Sequence, residues 1–194
     1  MRVLYEKNRK KESESAFIKR MSGDVVIIKY NNNKIKSQKT INAAQEKSLS
    51  IWTDGACHPN PGAGGWGWIR SDGESRCGGE AHTTNNRMEM VAILRALTEL
   101  PDNHNVTVFS DSQYCVKGLT IWRNGWKRKD WKKKGEPMIN RDLWLELDIQ
   151  VLRLKITFEW VRGHSGNKNN EIADMLANRG RMYVSGNLFA TQSS

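Results

Sequence analysis

Cysteine is scarce in this chain. Its 194 residues hold three, Cys57, Cys77 and Cys115, with no C-x-x-C pair, and an odd count argues against a disulfide framework. The thiols are expected to be reduced. Four histidines, at 58, 82, 104 and 164, are too dispersed for a zinc site, so metal chemistry is expected on oxygen ligands. No apolar run approaches the roughly 18 residues of a membrane span, and the first 20 residues lack the apolar stretch of a signal peptide. A soluble, cytoplasmic protein is the expectation, and no internal repeat is visible.

What the chain has is positive charge: a formal net charge of +10 and a pI near 9.7, with 38% hydrophobic residues. That balance fits a globular protein with a polyanionic partner. Nucleic acid is the default reading and an anionic membrane surface its rival. The length suits one ordinary core plus an appendage.

Residues 1–48 carry 12 Lys and Arg against five acids and contain no tryptophan. They read as a flexible basic extension, although Asp24–Tyr30 and Lys34–Lys36 have the pattern of a hairpin around Asn31-Asn32-Asn33. Glu6, Glu12 and Glu14 speak against an acid-poor mitochondrial presequence. Residues 49–182 carry the punctuation of a compact α/β domain, and 183–194 form a polar tail. Strands are expected at Leu49–Thr53, Trp66–Arg70, Ser75–Ala81, Val106–Ser110 and Ile156–Val161. Met90, Ile93, Leu94, Leu97 and Leu100 recur at helical spacing before Pro101, as do Leu143, Leu147, Val151 and Leu154, and then Ile172, Met175, Leu176 and Arg179.

Four carboxylates stand at the predicted ends of these elements. Asp54 and Asp111 close two strand-like runs that end in Thr-Asp and Ser-Asp. Neighbouring strands of an α/β sheet would bring such residues together at their carboxyl ends, with Glu89 and Asp174 joining from helices. Taken singly, none is diagnostic. Glu89 could merely complete a capping box with Asn86, and Asp174 could be a solvated helix residue. A bare cluster of four carboxylates would repel itself and raise some of their pKa values, whereas divalent cations would neutralise it.

The stretch Thr53-Asp54-Gly55-Ala56-Cys57-His58-Pro59-Asn60-Pro61-Gly62-Ala63-Gly64-Gly65-Trp66-Gly67 resembles the first hairpin of the type 1 ribonuclease H family. The likeness recurs in order through Thr83–Glu89, Thr107–Tyr114, Trp160–Gly166 and Asn170–Asp174, and covers about Leu49 to Arg181. It implies an α/β ribonuclease H-like fold, a five-stranded mixed β-sheet flanked by α-helices. It also implies that Asp54, Glu89, Asp111 and Asp174 hold two magnesium ions, with manganese a possible substitute. The implied activity is endonucleolytic hydrolysis of the RNA strand of RNA–DNA hybrids to 5′-phosphate and 3′-hydroxyl ends, by a monomer. His164, in the loop Gly163-His164-Ser165-Gly166, matches the family histidine proposed to shuttle protons and aid product release. Asn170 and Glu171 lie one turn before Asp174 and are candidates to contact phosphate or brace the acids.

Residues Trp122–Lys134 hold seven basic residues, one acid and three tryptophans. The bland reading anchors the tryptophans in the core and turns the lysines to water, and it suits Trp122 and Trp131. The segment also resembles the basic protrusion that some family members use to grip the DNA strand. Trp122, Trp126, Lys127 and Arg128 are the expected contacts there, with Trp126 against a deoxyribose and the cations on phosphates. By the same matching, Asn60 and Thr84 would help hold a DNA phosphate, Asn85 is a further candidate substrate contact, and Gly55, Cys57 and Gln113 would lie along the RNA strand near its 2′-hydroxyls. Ile121 departs from the polar residue of some bacterial relatives. A non-catalytic hybrid-binding module and a strand-transfer enzyme on a related fold are the competing readings; the intact acids disfavour the first, and the first hairpin and four-acid set fit the second poorly.

Overall fold

The computed structural model describes residues 16–21, 24–29 and 48–186. It divides into two units, Met1–Glu46 and Lys47–Ser194. In the first, β1 (Ala16–Met21) pairs antiparallel with β2 (Asp24–Lys29), from Ala16↔Lys29 to Met21↔Asp24. Asp24–Lys29 thus has an upstream partner, and Lys34–Lys36, the partner expected from sequence, lies outside the described residues along with most of the basic extension.

The second unit opens with β3 (Leu49–Cys57), β4 (Gly62–Arg70) and β5 (Ser75–Thr83). Helix α1 (Asn85–Thr98), β6 (Asn105–Ser110) and α2 (Gln113–Lys117) follow. A turn of π-helix (Gly118–Trp122) leads into α3 (Arg123–Arg128) and the two-residue strands β7 (Lys132–Lys133) and β8 (Glu136–Pro137). Helix α4 (Arg141–Arg153), β9 (Lys155–Trp160) and α5 (Lys168–Val184) complete it. Most of the expected polar tail falls outside the described residues, and α5 takes in its first two positions. No helix among the described residues is long and apolar enough to cross a membrane.

The five-stranded sheet has the order β5-β4-β3-β6-β9, with β3, β6 and β9 parallel and the β3–β4–β5 meander antiparallel. Strand alternation sorts its residues between two faces. Ile51 and Val108 turn to one face and meet Met88, Ile93 and Leu97 of α1 and Trp144 and Leu147 of α4 in the buried core. Those positions follow the helical periodicity of the sequence, and Pro101 lies just beyond the end of α1. The other face is covered by α5, which rests on glycines of β4 and β5. A Cβ at Gly67 would lie 2.6 Å from Ala177 N, and one at Gly79 2.7 Å from Gly180 O. Main chain here meets main chain, an approach only glycine permits.

Asp54 does not end its strand, as the sequence reading held, because β3 runs on to Cys57 in its antiparallel pairing with β4. The parallel ladder with β6 does stop at Thr53↔Ser110. Asp54 and Asp111 are therefore each the first residue beyond that ladder, on adjacent strands.

Candidate active site

Asp54 and Asp111 emerge side by side from the carboxyl end of the parallel strands, and α1 lowers Glu89 onto them. The helix can come that close because Gly55 has no side chain: a Cβ there would lie 2.6 Å from Met88 C and 2.9 Å from Glu89 Cα. One carboxylate oxygen from each of Asp54, Glu89 and Asp111 falls within 4.8 Å of the others. Glu89 plays no part in a cap. Thr84 caps α1, its hydroxyl accepting a 3.4 Å bond from Arg87 N, and the Asn86 capping box expected from sequence is not formed. Gly55→Ala is expected to push α1 off β3, costing about 1–3 kcal/mol by overpacking and lowering turnover; a thermal melt and a cleavage assay on the same preparation check both.

Burial and crowding hold these acids toward their neutral forms. Asp54 is pushed up to about 7, mainly by loss of water and then by the Asp111 charge, against a 2.7 Å bond from Gly55 N to its Oδ1. Burial raises Glu89 well above the usual carboxylate range, and the charges of Asp54 and Asp111 add to that. Asp111 is raised by burial too, although the Asn170 carboxamide and the nearby His164 favour its charged form. Glu89 Oε2 is buried without a hydrogen-bond partner. An all-oxygen donor set with an unpartnered buried oxygen suits a hard divalent cation, which neutralises what water cannot reach.

Asp174 reaches the same cleft, of about 350 Å³, from α5. Its carboxylate is not part of the group of three. Asn178, one turn further along α5, donates to Asp174 Oδ1 at 2.9 Å. His164 lines the cleft in a left-handed backbone conformation (φ 50°), and a Cβ at the preceding Gly163 would lie 2.5 Å from Asp111 Oδ2. The sequence reading missed Asn178 and Arg181 as cleft residues. Their only signal was the spacing of four and seven from Asp174 on one helix.

Residues 46–182 match the RNase H family model. The chain belongs to the ribonuclease H family. It is 50% identical over 137 residues to the Ribonuclease H of Pseudomonas fluorescens, covering 69% of this chain and 91% of that one. The Ribonuclease H of Cupriavidus pinatubonensis is 52% identical over 138 residues, 69% and 95% of the two chains. Among solved structures, LC9-RNase H1, described as a type 1 RNase H with the type 2 active-site motif, superposes with a TM-score of 0.62 at 28% identity, covering 69% of this chain and 71% of the other. A foamy viral protease-reverse transcriptase, solved with an RNA/DNA hybrid, shares the fold at 16% identity and a TM-score of 0.61, over 71% of this chain and 20% of its own.

In this ribonuclease H, the other residues singled out from sequence are engaged locally. Asn60 Oδ1 accepts from Asn85 N at 3.2 Å, tying the β3–β4 loop to the start of α1. Asn85 Nδ2 lies 3.5 Å from Glu89 Oε1. The Cys57 thiol points at the carbonyls of Pro59, Gly62 and Thr83. Gln113 Oε1 accepts from Lys117 Nζ at 2.8 Å. Asn170 is buried, its Oδ1 unpartnered.

The tryptophans of the basic segment divide differently from the sequence reading. Trp131 is buried, as expected of an anchor, but Trp122 is 38% exposed. Trp126 packs between them and the core, with ring centroids 4.9 Å from Trp144 and 5.5 Å from Trp122. Trp122 and Trp126, with Lys129 and Lys132, line a groove of about 1010 Å³. Lys127, expected on a phosphate, lies 2.7 Å from Asp148 Oδ2 and keeps about half of its side chain exposed, and Arg123 binds the other oxygen of that carboxylate. Asp148, buried on α4, was not singled out from sequence. It fastens α3 through two cations at i, i+4 spacing. Asp148→Ala is expected to cost about 2–3 kcal/mol by stranding Arg123, a little below the usual range for breaking a buried pair because Lys127 is half exposed. Denaturant unfolding measures that loss, and hybrid affinity should fall with it.

Proposed function

We propose that this ribonuclease H hydrolyses the RNA strand of RNA–DNA hybrids with two magnesium ions held by Asp54, Glu89, Asp111 and Asp174, leaving 5′-phosphate and 3′-hydroxyl ends. The observation that carries the reading is the group of three acids, open to a cleft and crowded enough to need a cation. When bound, the ions supply the Lewis acidity that activates a water and offsets charge on the leaving oxygen. Gly55 N fixes the rotamer of Asp54, and Asn170 steadies Asp111. His164, on its own loop, accepts and returns a proton at the mouth of the cleft.

The strands are told apart by their sugars. Gly55, Cys57 and Gln113 face the ribose side, where the 2′-hydroxyl is the one group that separates RNA from DNA. Asn60 on the β3–β4 loop, with Thr84 and Asn85 at the start of α1, takes a phosphate of the DNA strand. Trp122, Trp126 and Arg128 hold that strand further along, with Lys127 contributing charge from its bridge to Asp148. Contacts of this kind read backbone rather than bases, so cleavage is expected with no sequence preference. Residues 49–182 form the catalytic domain, and the chain acts as a monomer. Three free cysteines suit the reducing cytoplasm.

The test is direct. Labelled hybrid, single-stranded RNA and duplex DNA are incubated with and without magnesium, manganese serving as a substitute. Magnesium-dependent cutting of the RNA in the hybrid alone is expected. Tight hybrid binding with no turnover would reassign the protein as a binding module.

A further inference from the structure

The carboxylate cleft contains a cation that none of its acids uses. Among the described residues Arg181 is the only Lys or Arg lining it, and it forms no ion pair with any of them. Its one side-chain hydrogen bond among the described residues is to Asn178 Oδ1, 3.5 Å from Arg181 Nη2, and the amide of that same Asn178 holds Asp174 Oδ1 at 2.9 Å. Four carboxylates stand in the cleft, yet the guanidinium is separated from Asp174 by a neutral carboxamide, and its charge is left for another anion.

The topology says which strand supplies that anion. Asp54 pairs with Gly67 and Ala56 with Gly65, so these four residues share the face that α5 covers. Gly65 lies under Arg181, and a Cβ there would run into Arg181 N. Arg181 therefore stands beside the acids, on the α5 face. The basic segment is fastened by Asp148 to α4, across the sheet. A hybrid spanning both places its DNA strand on the basic segment and its RNA strand over the acids. We infer that Arg181 binds a phosphate of the RNA strand flanking the scissile bond, oriented by Asn178, which couples this contact to Asp174. This inference rests on the hydrolysis of hybrids proposed above.

A guanidinium on one phosphate makes a separable contribution to affinity. Binding is measured in an Asp54→Asn background, with chelator present so that residual cleavage does not intervene, by fluorescence anisotropy of labelled hybrid across a salt series. Arg181→Ala should weaken binding about tenfold and reduce the salt slope by about one, and Arg181→Lys should restore the slope. In the active protein, the same change should raise KM with kcat within about twofold. Hybrids with a single neutral methylphosphonate, stepped along either strand, locate the contact. Neutralising one RNA phosphate near the cut should weaken binding to the Arg181 protein and leave the Arg181→Ala protein unaffected. An unchanged affinity and slope overturns the inference, as does a contact that maps to the DNA strand. Either failure leaves hydrolysis standing, because wild-type cleavage of the hybrid is scored separately.

Discussion

Asp54→Asn is expected to lower hybrid cleavage by about 10³-fold or more, roughly 4 kcal/mol of transition-state stabilisation, while hybrid affinity stays near that of wild type. Asp54 is central to the site: it leads off the parallel ladder, sits within 4.8 Å of both Glu89 and Asp111, and keeps one oxygen on Gly55 N. An asparagine carbonyl can still accept that bond, so the loop and strand keep their places. What is lost is one negative oxygen for a cation. Single-turnover cleavage and anisotropy on one hybrid separate the two effects. Retention of more than a tenth of wild-type activity would remove Asp54 from the catalytic set.

The metal-free protein is expected to lose stability as pH rises from about 4 to 7, the reverse of a carboxylate made acidic by a salt bridge. The folded-state pKa of Asp54, about 7, stands above its ordinary 3.8. Between those values the folded chain binds more protons than the unfolded chain, so unfolding free energy falls with pH and levels off above 7. That difference is worth about 4 kcal/mol for Asp54, and burial of Glu89 and Asp111 acts in the same direction. Magnesium should restore the loss at pH 8, since a ligand bound only by the folded state stabilises it by mass action. Asp54→Asn should itself raise the metal-free melting temperature at pH 8, with little difference near pH 4. Melting curves from pH 4 to 8, with chelator and with magnesium, check each arm. A flat chelator profile would mean that the three acids are not crowded in solution.

Much of this was legible in the sequence because it was written in periodicity and in order. The apolar spacing of Met90 to Leu97 marked α1, and Thr-Asp and Ser-Asp after two strand-like runs marked adjacent sheet positions. The capping of α1 misled because Asn86 and Glu89 have the right spacing, while burial of Glu89 against Gly55 is a tertiary fact. The Lys127–Asp148 pair was illegible for a similar reason: the two residues are 21 apart and meet only after α3 folds back onto α4. Arg181 stayed hidden because one arginine on a basic chain carries no mark of the cleft it lines.

The glycine seam under α5 has a mechanical consequence. With Gly67 and Gly79 of the sheet seated against the backbone of Ala177 and Gly180, the helix has little room to slide or roll. Asp174 and Arg181 ride on that helix as on a rail fixed to its bed. Adjustment to a bound ion or anion is then left to bond rotation within those side chains, and the span between the acids and the guanidinium is set by the seam itself.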